Sequence, residues 1–222
     1  NMETNYFTDE SLLQKLSFDK FKEEVLKDYR IVCESRETSI LGRREVLTGK
    51  AKFGIFGAGK EVAQVAMAKF FMPGDFRAGY YRDQTFMFAS GVATIDQFFS
   101  QLYADADINN DPFSGGRQMN SHFATKFVDE NGEWLPLAHT KNVSADIAPT
   151  AGQMPRALGL AFASKLFRDV TVLQKMKNLS DNGNEFCFCT IGEASTSEGH
   201  FWETINAEGF MQIPLAVFIW DD

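Results

Sequence analysis

Two short apolar runs near the end of the chain are the clearest features of its hydrophobic pattern. Residues 185–191 (EFCFCTI) and 215–220 (LAVFIW) are nearly uninterrupted, partly β-branched and bounded by breakers, which predicts two buried strands. Gly192-Glu193-Ala194 ends the first run, Ser195 and Glu198 stand at capping-box spacing, and Pro214 precedes the second run. A helix is therefore expected from about Ser195 to Met211, with Phe201, Trp202, Ile205 and Phe210 facing inward. A strand–helix–strand unit of this kind makes neighbouring parallel strands. Glu193 and Asp222 then both stand just past the carboxyl ends of strands, the edge at which open α/β sheets bind ligands.

Upstream, residues 1–17 read as a loosely attached lead-in. Phe21, Val25, Leu26, Tyr29, Val32, Cys33 and Ile40 recur at helical spacing between charged residues, which predicts one or two packing helices over 18–48. EVAQVAMAKFF (61–71) continues as a helix, and Met72-Pro73-Gly74-Asp75 is a turn. Residues 84–102 are expected to be helical with Phe86, Phe88, Phe98 and Phe99 in the core. Residues 124–143, with Asn131-Gly132, suggest a turn or short hairpin. A further helix is expected to run to about Phe167, and 169–183 forms a charged lead into the strand at 185. The fold class is α/β, a parallel sheet flanked by helices, organised as one domain over 18–222.

Composition narrows the functional classes. The 222 residues include 44% hydrophobic residues and carry a net charge of −8, which argues against nucleic acid or an anionic membrane surface as partner. No apolar run approaches the ~20 residues of a membrane helix. The three cysteines are an odd number, and Cys187 and Cys189 alternate on one face of a strand. They read as small core residues of a reducing, cytoplasmic protein.

Two motif matches fail on their own chemistry. Gly54-x4-Gly59-Lys60 has most of a P-loop, but Glu61 stands where a magnesium-binding hydroxyl is needed, and no buried strand precedes it. Residues 105–111 begin like a calcium loop, but Asn110 replaces the turn glycine and Gly116 the final glutamate. By contrast, Glu193 and Asp222 beside a helix N-terminus suit Mg2+ carrying a phosphorylated ligand, with plain turn chemistry as the alternative.

Gly192-Glu193-Ala194, followed after residues 195–220 by Asp221-Asp222, resembles the thiamine diphosphate signature Gly-Asp-Gly…Asn-Asn. The intervening text is similar to the alpha subunit of 2-oxo acid dehydrogenases, nearest the branched-chain type. Two further stretches carry the same resemblance: Tyr80-Tyr81-Arg82-Asp83, like the family's Tyr-Arg-Glu/Asp, and Gly116-Arg117-Gln118-Met119 with His122. Glu193 replaces the usual aspartate but keeps a carboxylate. Ala194 replaces a glycine, and Asp221-Asp222 adds charge where the family has two asparagines.

The resemblance implies a thiamine diphosphate-binding, transketolase-like fold, and a chain expected to continue beyond Asp222. It implies oxidative decarboxylation of a 2-oxo acid with acyl transfer to a lipoyl group. It assigns thiamine diphosphate to Tyr81, Arg82, Ala148, Thr150, Gly192, Glu193, Ala194 and Ser195, and Mg2+ to Glu193 and Asp222. Arginine suits the diphosphate because its fork donates several charge-assisted hydrogen bonds; the plain alternative is a surface Arg82 paired with Asp83. His122 is the candidate catalytic residue, near the mouth of the site, against the plain alternative of a structural histidine. The implied partners are a pyrimidine-binding beta subunit or fused domain, a lipoyl acyltransferase and the 2-oxo acid, in an oligomer. The isolated segment is expected to be inactive. Two other readings stay open: a different thiamine diphosphate enzyme, acetoin-cleaving or transketolase-like, and a cofactor-free scaffold.

Overall fold

Four parallel strands in the order β2-β1-β3-β4 form the centre of the computed structural model, which describes residues 17–221. The lead-in, apart from Ser17, and Asp222 lie outside the described residues. The strands are β1 (Phe76–Ala78), β2 (Asn142–Val143), β3 (Cys187–Gly192) and β4 (Leu215–Trp220). Crossover helices α5 (Met154–Asp169) and α6 (Gly199–Met211) cover one face. The helices α1 (Phe18–Leu47), α2 (Glu61–Ala68), α3 (Gln84–Ala89) and α4 (Ile95–Leu102) lie on the other side. The expected class, an α/β parallel sheet flanked by helices, is the one observed.

Alternation along the strands divides the core. Cys187, Cys189 and Ile191 of β3 join Met154, Ala157, Ala161 and Phe201 on the α5–α6 face. Phe188, Phe218 and Trp220 point the other way, into an aromatic layer with Phe71, Phe86 and Phe98. Both faces of β3 are covered, which is why it reads as a continuous apolar run, whereas β4, expected to be buried, is mostly half-buried with Ile219 exposed. Cys187 and Cys189 are buried as expected. Burial pushes the Cys189 thiol up to about 12, so it packs as an inert thiol.

Several expectations need correction. The single helix expected over 84–102 is two: Gly91 turns the chain at φ +74°, and Thr94 restarts it with a capping box to Gln97. Phe86 and Phe98 are fully buried, but Phe88 and Phe99 only partly. The helix expected from Ser195 starts at Gly199, because Glu193–Ser197 closes into a 3-10 turn, and Ser195 makes no cap. Of the four inward candidates in α6, Phe201 is buried, Ile205 is partly buried, and Trp202 and Phe210 face solvent. Residues 18–48 form one long helix, and its apolar stripe faces outward. Phe21, Val25, Leu26, Tyr29 and Ile40 are exposed, whereas Ser35, Thr38, Ser39, Gly42 and Glu45 are buried. Polar groups do the packing there: Gln84 Nε2 donates to Ser35 O at 2.9 Å, and Ser35 and Thr85 share a hydrogen bond of 2.7 Å. The turn in 124–143 is a single antiparallel bridge, Val128 to Trp134. Glu61 of the failed P-loop accepts from Gly59 N at 2.9 Å and lies 3.3 Å from Arg36, so it locks that turn.

A buried ionic cluster ties the sheet together. Arg77 in β1 is fully buried. Its Nε donates to Asp83 Oδ2 at 2.8 Å, and its Nη1 donates to both oxygens of Asp146 at 3.0–3.1 Å. Asp83 also accepts from Trp220 Nε1 at 2.8 Å and from the Thr190 hydroxyl. Asp146 accepts from Phe123 N at 3.0 Å. Burial opposes the Arg77 charge, but Asp146 and Asp83 outweigh it and hold its pKa above the ordinary value. Burial pushes the Asp146 carboxyl upward, against the pull of Arg77. Gly79 is dictated by this cluster, since a Cβ there would meet the Arg77 guanidinium at 2.2 Å.

Replacing Arg77 by Met should destabilise the chain by about 3–5 kcal/mol, because two carboxylates stay buried without their cation. Asp146 has a folded pKa above its ordinary 3.8. Its stabilising contribution is therefore complete below that value and declines as pH rises through the folded pKa. Without Arg77 the folded pKa rises further, so the gap between variant and parent should narrow as the pH approaches about 4. Urea denaturation at pH 4 and pH 7 measures both quantities. A gap that is small, or that does not change with pH, would refute this account of the cluster.

Candidate active site

The carboxyl edge of β1, β2 and β3 opens into a recess of about 120 Å³. Three segments line it: Tyr80–Arg82 after β1, 147–151 with Gln153 before α5, and Gly192–Ser195 after β3. All eight residues expected to contact the cofactor, Tyr81, Arg82, Ala148, Thr150, Gly192, Glu193, Ala194 and Ser195, line this one recess.

Each segment is held by named contacts. Arg82 is fixed from behind, because Gln64 of α2 donates from Nε2 to Arg82 O at 2.8 Å and accepts from Phe86 N at 3.0 Å. Gly57 has to be glycine here, since a Cβ would meet Arg82 O at 2.4 Å. Asp83 pairs with Arg77 in the interior, so the alternative of a surface Arg82–Asp83 pair does not apply. Among the described residues the Arg82 guanidinium has no carboxylate partner; it lies 5.6 Å from the centre of the Tyr81 ring. It is the cation of the recess.

The segment before α5 is anchored by Gln153, whose Nε2 donates to Thr190 O at 2.8 Å. Ala151 adopts φ +57°, a left-handed conformation that costs a non-glycine residue free energy and is often found at binding sites. Gly192 ends β3 beside Tyr80, whose hydroxyl would lie 3.3 Å from a Cβ at that position. Any side chain there would narrow the recess. Glu193 is exposed at the rim, and the pairing of Gly192 with Trp220 sets the residues after β3 beside those after β4. Lys60 reaches the same corner, with Nζ 3.5 Å from Asp221 O.

Asp222, the second expected metal ligand, lies outside the described residues. Among the described residues, no group of three or more His, Cys, Asp or Glu side chains is arranged to hold a metal ion. His122 does not line the recess. It is buried in a separate hollow with Phe113, Arg117 and Asp146, where its Nδ1 donates to Asn120 O at 3.2 Å.

Sequence reasoning missed Tyr80, Gln64 and the Arg77 cluster. A signal existed for the last of these. Arg77 interrupts Asp75-Phe76-Arg77-Ala78, and a charge inside a strand needs buried partners.

Comparison with known proteins identifies the family. The family model for the dehydrogenase E1 component matches residues 35–221. The chain is 29% identical over 169 residues to 2-oxoisovalerate dehydrogenase subunit alpha of Bacillus subtilis, covering 76% of this chain and 42% of the relative. It is 26% identical to the mitochondrial subunits alpha of Caenorhabditis elegans and Mus musculus, covering 77% and 89% of this chain but 32% and 37% of theirs. The matches thus span about a third to two fifths of the length of these curated relatives. With more than four fifths of its length under the family model, the chain belongs to the dehydrogenase E1 component family.

Proposed function

We propose that the chain is the diphosphate-binding part of a 2-oxo acid dehydrogenase E1 component of the branched-chain type. It would hold thiamine diphosphate at the recess beside Arg82. The observation that carries this proposal is the meeting of all eight cofactor-binding candidates around one cation that has no carboxylate partner among the described residues.

The donor set fits a diphosphate: the Arg82 fork, the Tyr81 and Ser195 hydroxyls, and close backbone approach at Gly192. A recess of about 120 Å³ is smaller than the ~300–1,000 Å³ of sites that enclose a whole drug-sized ligand. It suits the phosphate end of a cofactor whose other end is covered by a second domain. A pyrimidine-binding beta subunit or fused domain supplies that cover in this proposal. Mg2+ keeps only one or two protein carboxylates when phosphates complete its shell, so Glu193 and Asp222 suffice. Bound there, thiamine diphosphate supplies the electron sink for decarboxylating a 2-oxo acid.

The chain's own residues bind and orient. Arg82 takes the anion, Gln64 fixes the Arg82 backbone, and Gln153 holds the segment of Ala148 and Thr150 against β3. His122 has no contact with the recess, which favours a structural role over a catalytic one. A lipoyl acyltransferase as acyl acceptor, an oligomeric assembly and a cytoplasmic location belong to the same proposal.

Replacing Arg82 by Ala in the assembled enzyme should weaken thiamine diphosphate binding roughly ten- to a hundredfold, for the loss of a charge-assisted bond of about 1.5–3 kcal/mol. Calorimetric titration with excess Mg2+ measures it, and an unchanged dissociation constant would remove Arg82 from the site.

Asp222→Asn keeps an oxygen ligand and removes one negative charge, so cofactor binding should stay equal or tighten. Asp222→Ala removes the ligand and should weaken it. If both variants bind as tightly as the parent, Asp222 does not hold the metal.

A further inference from the structure

A second hollow, of about 270 Å³, lies at the amino edge of the sheet, opposite the recess. Phe76 at the start of β1, Glu185 before β3 and the second half of α5 line it. The turn over 127–135 closes its outer side with Phe127 and Trp134. Phe76 and Phe127 meet edge to face there, with ring centres 5.7 Å apart. On α5 the lining residues are Leu160, Ala163, Ser164 and Phe167, which share one helical face. Gly183 lets the neighbouring loop pack tightly on that helix, since a Cβ there would meet Ser164 O at 2.2 Å. Well-packed interiors leave few voids larger than a water molecule, and apolar ones stay dry.

The polar groups of the wall narrow what fits. Glu185, 5% exposed, accepts from the Ser180 hydroxyl at 2.8 Å and from Asp181 N, and Ser180 in turn accepts from Gly183 N at 2.8 Å. These two side chains are satisfied, and the carboxylate disfavours an anion beside it. Ser164 differs. It is 4% exposed and stands on the lining face of α5, and among the described residues its hydroxyl has no hydrogen-bond partner. A buried hydroxyl left unpaired costs free energy that a ligand group can recover. We propose that this hollow binds a small uncharged aromatic molecule carrying one hydrogen-bonding group, to which the Ser164 hydroxyl bonds. Four aromatic rings in the wall, those of Phe76, Phe127, Trp134 and Phe167, offer edges and faces to a fifth. The volume suits a substituted ring, since a cavity of about 150 Å³ already takes benzene. The inference is independent of the cofactor assignment, because no residue of the recess lines this hollow.

Calorimetric titration of the 222-residue chain with para-cresol should give a dissociation constant of about 1 mM or below. Toluene, which lacks the hydroxyl, should bind roughly three- to tenfold more weakly, and para-toluate, the anionic counterpart, should not bind measurably. Ser164→Ala should reduce para-cresol to the affinity of toluene and leave toluene unchanged. Ala163→Phe, which puts a ring into the hollow, should abolish binding of both without lowering the melting temperature. If that variant does not fold, the Ser164→Ala comparison alone decides. No binding of para-cresol or toluene at tenfold higher concentration overturns the proposal. So does equal affinity of the parent chain for the two, or binding that persists unchanged in a folded Ala163→Phe variant.

Discussion

Arg77 carries a full charge into the interior, and the carboxylates that answer it come from different parts of the chain. Asp83 follows β1 and Asp146 follows β2; Thr190 and Trp220 bind the same Asp83 from β3 and β4. One guanidinium thereby fixes the relative height of all four strands. Registry of this kind is a role for which buried polar groups are retained even where apolar packing would be more stable. It also has a geometric consequence. Tyr81 and Arg82 stand between Tyr80, whose carbonyl accepts from Arg77 at 3.2 Å, and Asp83, so the loop that aims Arg82 is tied at both ends.

Legibility in the sequence followed the strength of the hydrophobic signal. The strands β3 and β4 were readable because their text is continuously apolar, although only β3 is buried on both faces. The strands β1 and β2 were not, because they are three and two residues long and carry buried Arg77 and Asn142. Asn142 satisfies backbone carbonyls, those of Leu137 and Thr140 at 2.9 Å, so its burial follows a hydrogen-bond logic that hydropathy does not record. Thr94 and Gln97 did carry a readable restart signal, but the phenylalanines around them masked the break at Gly91. At Ser195 the capping spacing pointed one turn too early, because the chain first closes Glu193–Ser197 as a 3-10 turn.

Helices α1 and α6 show where periodicity misleads. Phe21, Val25, Leu26 and Tyr29 have the spacing of a core-facing stripe, yet the domain takes the opposite side of α1. Periodicity identifies a face that favours cover, not the body that covers it. Trp202 and Phe210, one helical face apart from buried Phe201, repeat the pattern on α6. In α1 the side toward the domain is the less hydrophobic one, whereas α6 keeps Phe201, Ile205 and Met211 inward and leaves only Trp202 and Phe210 out.

The recess has its own electrostatic logic. Glu193 is an anion at the rim, the Asp221 backbone sits nearby, and Arg82 is the cation among the lining residues. An edge of this composition would repel a diphosphate that arrived alone. In the proposed function Mg2+ would reverse that balance by adding positive charge beside Glu193 and Asp222. Glu193 keeps the charge of the family's aspartate, whereas Asp222 in place of its asparagine adds one negative charge, which in the proposed site would raise the demand for the metal. In this proposal cofactor affinity should depend more steeply on Mg2+ concentration than in a relative with two asparagines, while Arg82 sets the affinity that remains once the metal is saturating.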